Sequence, residues 1–205
     1  MTWMAWLLSA SAEEASLAAV VAAPACPSSV KALALPPGVE ASRLQGSHLI
    51  VVLKGARRIL RMNQGKLLET KDGPACWPIG LGFAPTGTKA VEGDGRTPEG
   101  LYATSDKPWS QYYAAIAVHY PGPHDLEEAI QAGRLDAATA DSVRAAHQRG
   151  EKPPQKTPVG GEILIHGGGA SKDWTLGCVA MEDKDIDRLR STLPKDMVTE
   201  VLILP

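Results

Sequence analysis

The sequence predicts a mainly β fold with a few helices, built as one domain. Short apolar or alternating runs, separated by Gly, Pro and Asn turns, recur from His48 to Leu204. Helical patterning gathers in one insertion, residues 126–149, and in one short stretch after Asp183. A chain of 205 residues holds one sizeable core and hardly two.

The first thirty residues are rich in Ala, Ser and Leu and carry no Lys or Arg before Lys31. Trp3 to Leu8 is a short apolar run, and Ala10-Ser11-Ala12 has the small residues of a cleavage site. The basic start of a secretory signal is missing, and Glu13 and Glu14 interrupt any longer span. Residues 1–30 are therefore expected to be an export leader or a disordered N-terminus. Residues 31–46, with Pro36-Pro37-Gly38, are expected to be an extended linker, because consecutive prolines oppose helix. The domain proper is expected to span 47–205.

Within it, His48 to Leu53 is an apolar strand, Arg57 to Met62 an alternating one and Lys66 to Thr70 a third, joined by the turns Lys54-Gly55-Ala56 and Asn63-Gln64-Gly65. This is a β-meander. Further short strands are expected at Trp77–Leu81, Leu101–Thr104, Ala114–Val118, Glu162–His166, Cys178–Met181 and Met197–Leu204. Leu126 to Ala132 and Ala137 to Arg149, the latter with Asp136 as N-cap and Gly150 as stop, form a helical hairpin. It returns through Pro153-Pro154 and Pro158 to the strand bearing His166, and is either a wall of a groove or a structural cap. Asp183 is expected to cap a last helix, Lys184–Arg190.

The formal net charge is −2, and no basic run or basic stripe interleaved with aromatics occurs. Nothing asks for a nucleic-acid partner. The chemistry concentrates between Ile165 and Met181, where His166 and Cys178 stand twelve positions apart. A thiolate is the reactive form of cysteine, and a nearby imidazole both lowers the thiol pKa and takes its proton, so the pair reads as nucleophile and base. A small buried Cys and a satisfied core His are the plainer alternative. Gly167, Gly168, Gly169 and Gly177 favour catalysis, being costly in a plain core and useful where amides face an oxyanion.

This stretch, Ile-His-Gly-Gly-Gly through Asp-Trp-Thr-Leu-Gly-Cys, resembles the signature of the L,D-transpeptidase catalytic domain, the YkuD-type family, in the branch reading Asp-Trp-Thr-X-Gly-Cys. A second block, Gly93-Asp94-Gly95-Arg96-Thr97-Pro98-Glu99-Gly100 followed by Leu101-Tyr102, resembles the turn that leads into a strand in that family. The similarity runs from about His48 to the C-terminus. Two departures stand out: Leu176 and Ala180 occupy positions where many members carry His or Arg and Arg.

The resemblance implies a β-sandwich or barrel with a helical insertion near the active-site groove. It implies acyl transfer on peptidoglycan stem peptides through a Cys178 thioester, with His166 as base and a carbonyl near Gly167 to Gly169, Gly167 first, orienting the imidazole. Gly177 and Cys178 are then placed to supply oxyanion amides. Thr175 adds a hydroxyl or braces the loop, and Trp174 lines the groove or anchors it. Arg96 either takes over a substrate carboxylate or is structural, and His119 lies on the groove wall. No metal or organic cofactor is implied. The expected partners are stem peptides, with a second stem peptide or an envelope lipoprotein as acceptor, for a monomer in the cell envelope or periplasm. With Cys178 the free thiol, Cys26 and Cys76 either pair in that oxidising compartment or stay apart. Transpeptidation, hydrolysis of the same bonds, a zinc peptidase using His119, His124-Asp125 and His166, and a non-catalytic wall-binding module all remain open on sequence.

Overall fold

The computed structural model describes residues 26–36, 39–195 and 199–205. Residues 1–25 of the expected leader, Pro37-Gly38 of the expected linker and Met197 at the start of the last expected strand lie outside them. After a single 3-10 turn at Val30–Ala32, the elements are β1 (Leu49–Leu53), β2 (Arg58–Asn63), β3 (Lys66–Leu67), β4 (Glu69–Thr70), β5 (Gly73–Pro74), β6 (Cys76–Pro78), β7 (Gly100–Ser110) and β8 (Tyr113–Val118), then α1 (Pro123–Gln131), α2 (Ala137–Gln148), β9 (Leu164–His166), β10 (Val179–Ala180), α3 (Asp183–Ser191) and β11 (Thr199–Leu204).

Nine strands form one mixed sheet in the order β10-β9-β8-β7-β11-β1-β2-β3, with β6 also paired to β2. The β1–β11 and β9–β10 pairs are parallel and the rest antiparallel. Beyond β6 the chain bridges the far edge, Gly80 to Ala180 and Gly82 to Thr175, so the two ends of the sheet meet. Strands β4 and β5 form a separate small hairpin.

The central strands read as apolar runs because both of their faces are covered. Ile50, Val52, Ile59, Val201 and Ile203 point into the main core with Trp77, Ile116, Ile165, Val179 and, from α3, Ile186 and Leu189. Their neighbours Leu49, Val51, Leu60, Met62, Leu202 and Leu204 point the other way, onto Val30 and Leu44 of the N-terminal segment. The period of two along each strand produces this division. The described part of residues 31–46, expected as a linker, thus packs on the sheet, with Leu44 1% exposed. Cys26 and Cys76 form a disulfide across 50 residues with Cα atoms 6.1 Å apart, tying that segment to β6.

Several boundaries move for local reasons. Strand β7 runs to Ser110, well past the expected Thr104, as a ribbon with β8 whose register shifts between Lys107 and Ser110. Pro108 and the polar run Ser105-Asp106-Lys107 hid it. Helix α1 starts at Pro123, ahead of Leu126: proline fits the first turn, and the Gly122 N–H donates to Asp125 Oδ2 at 2.7 Å. Asp136 caps α2 by accepting from Thr139 N at 2.7 Å. Glu182, rather than Asp183, is the N-cap of α3.

Two outcomes follow. Closing a 50-residue loop restricts the unfolded chain, so Cys26→Ser with Cys76→Ser is expected to lower unfolding stability by about 4 kcal/mol in denaturant titration; an unchanged midpoint excludes that contribution. Burial lifts Asp125 from 3.8 to about 6, against the Gly122 amide and the Tyr102 hydroxyl that favour its anion. A folded pKa above the unfolded one means the native state holds the proton longer, so Asp125 lowers stability as pH rises from about 4 to about 6, by roughly 3 kcal/mol in total. NMR titration of its carboxyl should give a midpoint near 6, and one near 3.8 would remove this effect.

Candidate active site

Strand register brings the two sequence-marked reactive residues to one face. Ala180 pairs with His166 and Val179 with Ile165. Extending that register backwards sets Cys178 beside Leu164, and alternation turns Leu164, His166, Cys178 and Ala180 to one side while Ile165 and Val179 enter the core. On the adjoining strand Ala115 sits opposite His166 and Ala117 opposite Leu164. Cys178 packs against Ala115, Ala117 and Leu164, a floor of small apolar side chains.

His166 is 1% exposed. Its Nδ1 lies 2.5 Å from the Gly167 carbonyl oxygen. An Nδ1–H donated there leaves Nε2 as the proton-accepting nitrogen. The ring stacks on Tyr112, with centroids 4.7 Å apart, and takes the edge of Trp174 at 5.6 Å. Trp174 is itself held by its Nε1–H donated to Gly169 O at 3.1 Å. Burial lowers the imidazole pKa, opposed by the Gly167 carbonyl. The neutral ring is the resting form.

The Cys178 thiol donates to the Glu162 carbonyl at 3.5 Å and its sulfur accepts from Leu164 N at 3.4 Å. Burial pushes this thiol up to about 11, with the Leu164 N–H opposing and the Glu162 carboxylate reinforcing the rise. Thr175 is 4% exposed. Its hydroxyl donates to Cys178 O at 2.8 Å and accepts from Gly177 N at 3.2 Å. It braces the turn, and the Gly177 amide is thereby engaged. Gly177 itself has φ +129°, and a Cβ there would meet the Arg96 carbonyl oxygen at 2.6 Å, so only glycine fits.

A cavity of about 560 Å³ opens above this floor, lined by His166, Trp174, Thr175, Leu176 and Cys178 together with Lys89, Lys107, Trp109, Tyr112 and Glu162. Two expected members are elsewhere. Arg96 is exposed and sends no side chain into the cavity; only its carbonyl backs Gly177. His119 is 6% exposed at the far end of β8, with Nε2 3.0 Å from Ser105 Oγ, because it follows the last strand residue and turns inward. No residue of α1 or α2 lines the cavity; the segment returning from α2 reaches its rim at Glu162, whose carboxylate lies 3.7 Å from Lys152 and whose N–H donates to Gln155 Oε1 at 2.8 Å. Among the described residues no group of three or more His, Cys, Asp or Glu is placed to hold a metal ion, and His124 pairs with Glu128 at 3.9 Å.

Sequence reasoning missed Tyr112, Lys89, Lys107 and Glu162. The β7–β8 ribbon delivers the first and third, and an aromatic pair beside a turn, Tyr112-Tyr113, was the available signal. Lys89 is fixed by Asp94 Oδ1 and Val91 O, each at 3.0 Å. Glu162 meets Lys107 at 3.4 Å as well as Lys152.

The model of the L,D-transpeptidase catalytic domain, YkuD, matches residues 47–203. The chain belongs to this family. Solved structures that resemble this L,D-transpeptidase domain include a variant of the helical cell shape determining protein Pgp2 from Campylobacter jejuni, 22% identical with TM-score 0.49 over 78% of this chain and 47% of that one. They also include an L,D-transpeptidase from Xylanimonas cellulosilytica, 12% identical with TM-score 0.44 over 78% and 61%. Bd1075 of Bdellovibrio bacteriovorus is 21% identical with TM-score 0.47 over 79% and 49%. The chain thus spans 47–61% of the length of these three. No curated protein matches it.

In the free domain, the rate of Cys178 alkylation by iodoacetamide is expected to keep rising with pH towards a midpoint near 11, since burial disfavours the thiolate. A plateau reached by pH 7 would show a resting thiolate–imidazolium pair instead.

Proposed function

We propose that this domain is a cysteine-dependent L,D-transpeptidase acting on peptidoglycan stem peptides in the cell envelope. The observation that carries the reading is the placement of His166 and Cys178 on one face of adjacent parallel strands, at the floor of one cavity, with His166 Nδ1 on the Gly167 carbonyl. The Cys26–Cys76 disulfide supports an oxidising compartment. Among the described residues no helix is long and apolar enough to cross a membrane.

In the proposed reaction the Cys178 sulfur attacks the carbonyl of an L,D-peptide bond while His166 Nε2 takes the thiol proton. With the Gly177 amide engaged by Thr175, the Cys178 amide is assigned as donor to the oxyanion. Collapse breaks the C–N bond, His166 returns the proton to the leaving amine, and a thioester remains. An acceptor amine, from a second stem peptide or an envelope lipoprotein, attacks the thioester, gives its proton to His166 and releases the thiol with a new amide. Water in its place gives a carboxylic acid. Lys89, Lys107 and Glu162 give the cavity both signs of charge, which suits a substrate carrying both amine and carboxylate. In this scheme the oxyanion role expected of Gly177 and Cys178 falls to Cys178, and neither the Arg96 side chain nor His119 takes part.

Mass spectrometry of the domain with defined muropeptides tests this. The expected result is a crosslinked product with an acyl adduct on Cys178, abolished in Cys178→Ala and slowed about 10²- to 10⁴-fold in His166→Ala. Trimmed monomers alone would assign hydrolysis. No adduct and no product would defeat the enzyme reading and favour a wall-binding module.

A further inference from the structure

The β1–β2 turn carries an arginine that the chemistry above does not use. Arg57 adopts φ +50°, a left-handed conformation that non-glycine residues seldom hold. Its guanidinium forks onto Asp173: Nε donates to Oδ1 and Oδ2 at 3.1 and 3.2 Å, and Nη2 donates to Oδ2 at 2.7 Å. Nη1 donates to Lys54 O, and the Arg57 carbonyl accepts from Ile79 N at 3.2 Å. The paired side chains keep 35% and 23% exposure, so this is a rim contact with fixed geometry more than a source of bulk stability.

What Asp173 does with its second acceptor site gives the fork its meaning. Oδ1 also accepts from Leu81 N at 2.9 Å. On the other side of the same residue, Leu81 O accepts from Trp174 N at 3.0 Å and Thr175 N at 3.1 Å. Leu81 is therefore gripped at both its amide and its carbonyl by three consecutive residues, Asp173, Trp174 and Thr175. The next two are the groups already seen to touch the reactive pair: the Trp174 ring edge lies against His166, and the Thr175 hydroxyl holds the Cys178 carbonyl. Arg57 holds the first link of that chain from outside the cavity, where it meets neither sulfur nor imidazole.

We propose that Arg57 is a positioning residue of the active site, which by orienting Asp173 clamps the Trp174–Thr175 segment on Leu81 and so sets His166 and Cys178 relative to each other. This rests on the reactive pair of the proposed function, but its test does not need that substrate assignment. A bidentate guanidinium is required, because a lysine supplies a point charge and cannot fix the carboxylate plane. The Asp173 carboxylate is held in its ionised form by Arg57 and the Leu81 amide in spite of burial.

The experiment compares wild type, Arg57→Gln, Arg57→Lys, Asp173→Asn and the double Arg57→Gln/Asp173→Asn, each checked for a cooperative melt. Two quantities are read: the pH dependence of Cys178 alkylation by iodoacetamide, and kcat and KM on a defined muropeptide. Loosening the loop rehydrates the sulfur, so the alkylation midpoint is expected to fall from near 11 towards the ordinary thiol range while kcat falls about ten- to a hundredfold and KM stays within about threefold. Greater small-reagent reactivity with lower turnover is a combination that simple destabilisation of a folded protein does not give. Arg57→Lys is expected to lie between wild type and Arg57→Gln, and serves if the glutamine variant does not fold. The double variant should be no worse than either single one, as for two members of one linkage. Alkylation midpoints and kcat unchanged in folded variants, with only the melting temperature lowered, would overturn the proposal. If wild type yields no muropeptide product, the transpeptidase reading fails, and the alkylation midpoints with their non-additivity still decide on the clamp.

Discussion

The constraint on which the rest of this domain depends is that its sheet must be covered on both faces, and is, except over one patch. Strands β1 and β2 bury Ile50, Val52 and Ile59 on one side and Val51, Leu60 and Met62 on the other. At about 1.5–3 kcal/mol for each large aliphatic side chain, leaving either face open would forfeit the stability of the fold. The N-terminal segment covers the outer face and α3 helps fill the inner core. Where β8, β9 and β10 run past that cover, the outward positions shrink to Ala115, Ala117 and Ala180, with His166 and Cys178 among them. These small residues leave room for Cys178 against Ala115 and Ala117 and for Tyr112 and Trp174 on His166, and the cavity opens beside them.

Between the sheet and this cavity lies a stretch, Gly82 to Glu99, with little regular structure, and it is held by two buried ammonium groups. Lys54, 2% exposed, donates to Gly87 O at 2.6 Å, Thr97 O at 2.9 Å and Glu99 at 2.6 Å. Desolvation lowers its pKa and the Glu99 carboxylate opposes that. Three acceptors around one cation are what make a buried charge tolerable. Asp94 does the complementary work, accepting from Ala90 N at 2.7 Å, Val91 N at 3.1 Å and Arg96 N at 3.1 Å besides the Lys89 ammonium. The carbonyl of Arg96 thereby backs Gly177, so the loop that resembled a family motif meets the residue before Cys178 through its backbone.

Most of the sheet was legible in the sequence, since short apolar runs mark β1 and β8, alternation between Gly and Asn turns marks β2, and the Asp136 cap marks α2. What escaped was set by contacts between distant segments. The ribbon of β7 contains proline and charge and is strand only because β8 pairs with it, and the N-terminal segment has no periodicity because it is shaped by the face it covers. Cys178 and His166 could be singled out because glycines and a strand end surround them. For Arg96 the substrate and structural readings could not be separated, and His119 was placed on the groove wall, because a residue type suited to a role says nothing about which way its backbone turns. The Tyr112-Tyr113 pair marked an aromatic turn but not its role, because the partner of Tyr112 in the stack, His166, lies 54 residues on.

Sequence reasoning assigned the imidazole two effects on the thiol, lowering its pKa and accepting its proton, and the structure separates them. Burial raises the thiol from 9.0 to about 11, and the sulfur's hydrogen bonds go to backbone groups of Glu162 and Leu164. A rise of that size cuts the thiolate fraction at neutral pH by about 100-fold, whereas the better nucleophilicity of the more basic thiolate, with a Brønsted slope near 0.45, recovers only about tenfold. Attack by the thiolate already present at neutral pH would therefore be slow. The deficit closes if the proton leaves as the carbon–sulfur bond forms, which demands an acceptor already oriented and uncharged. His166 meets both requirements: burial keeps it neutral, and Gly167, Tyr112 and Trp174 fix its plane. The stacking partners and loop braces around the pair are thus as much a part of the proposed chemistry as the sulfur, because the pair works only when the two residues are held in register at the moment of attack.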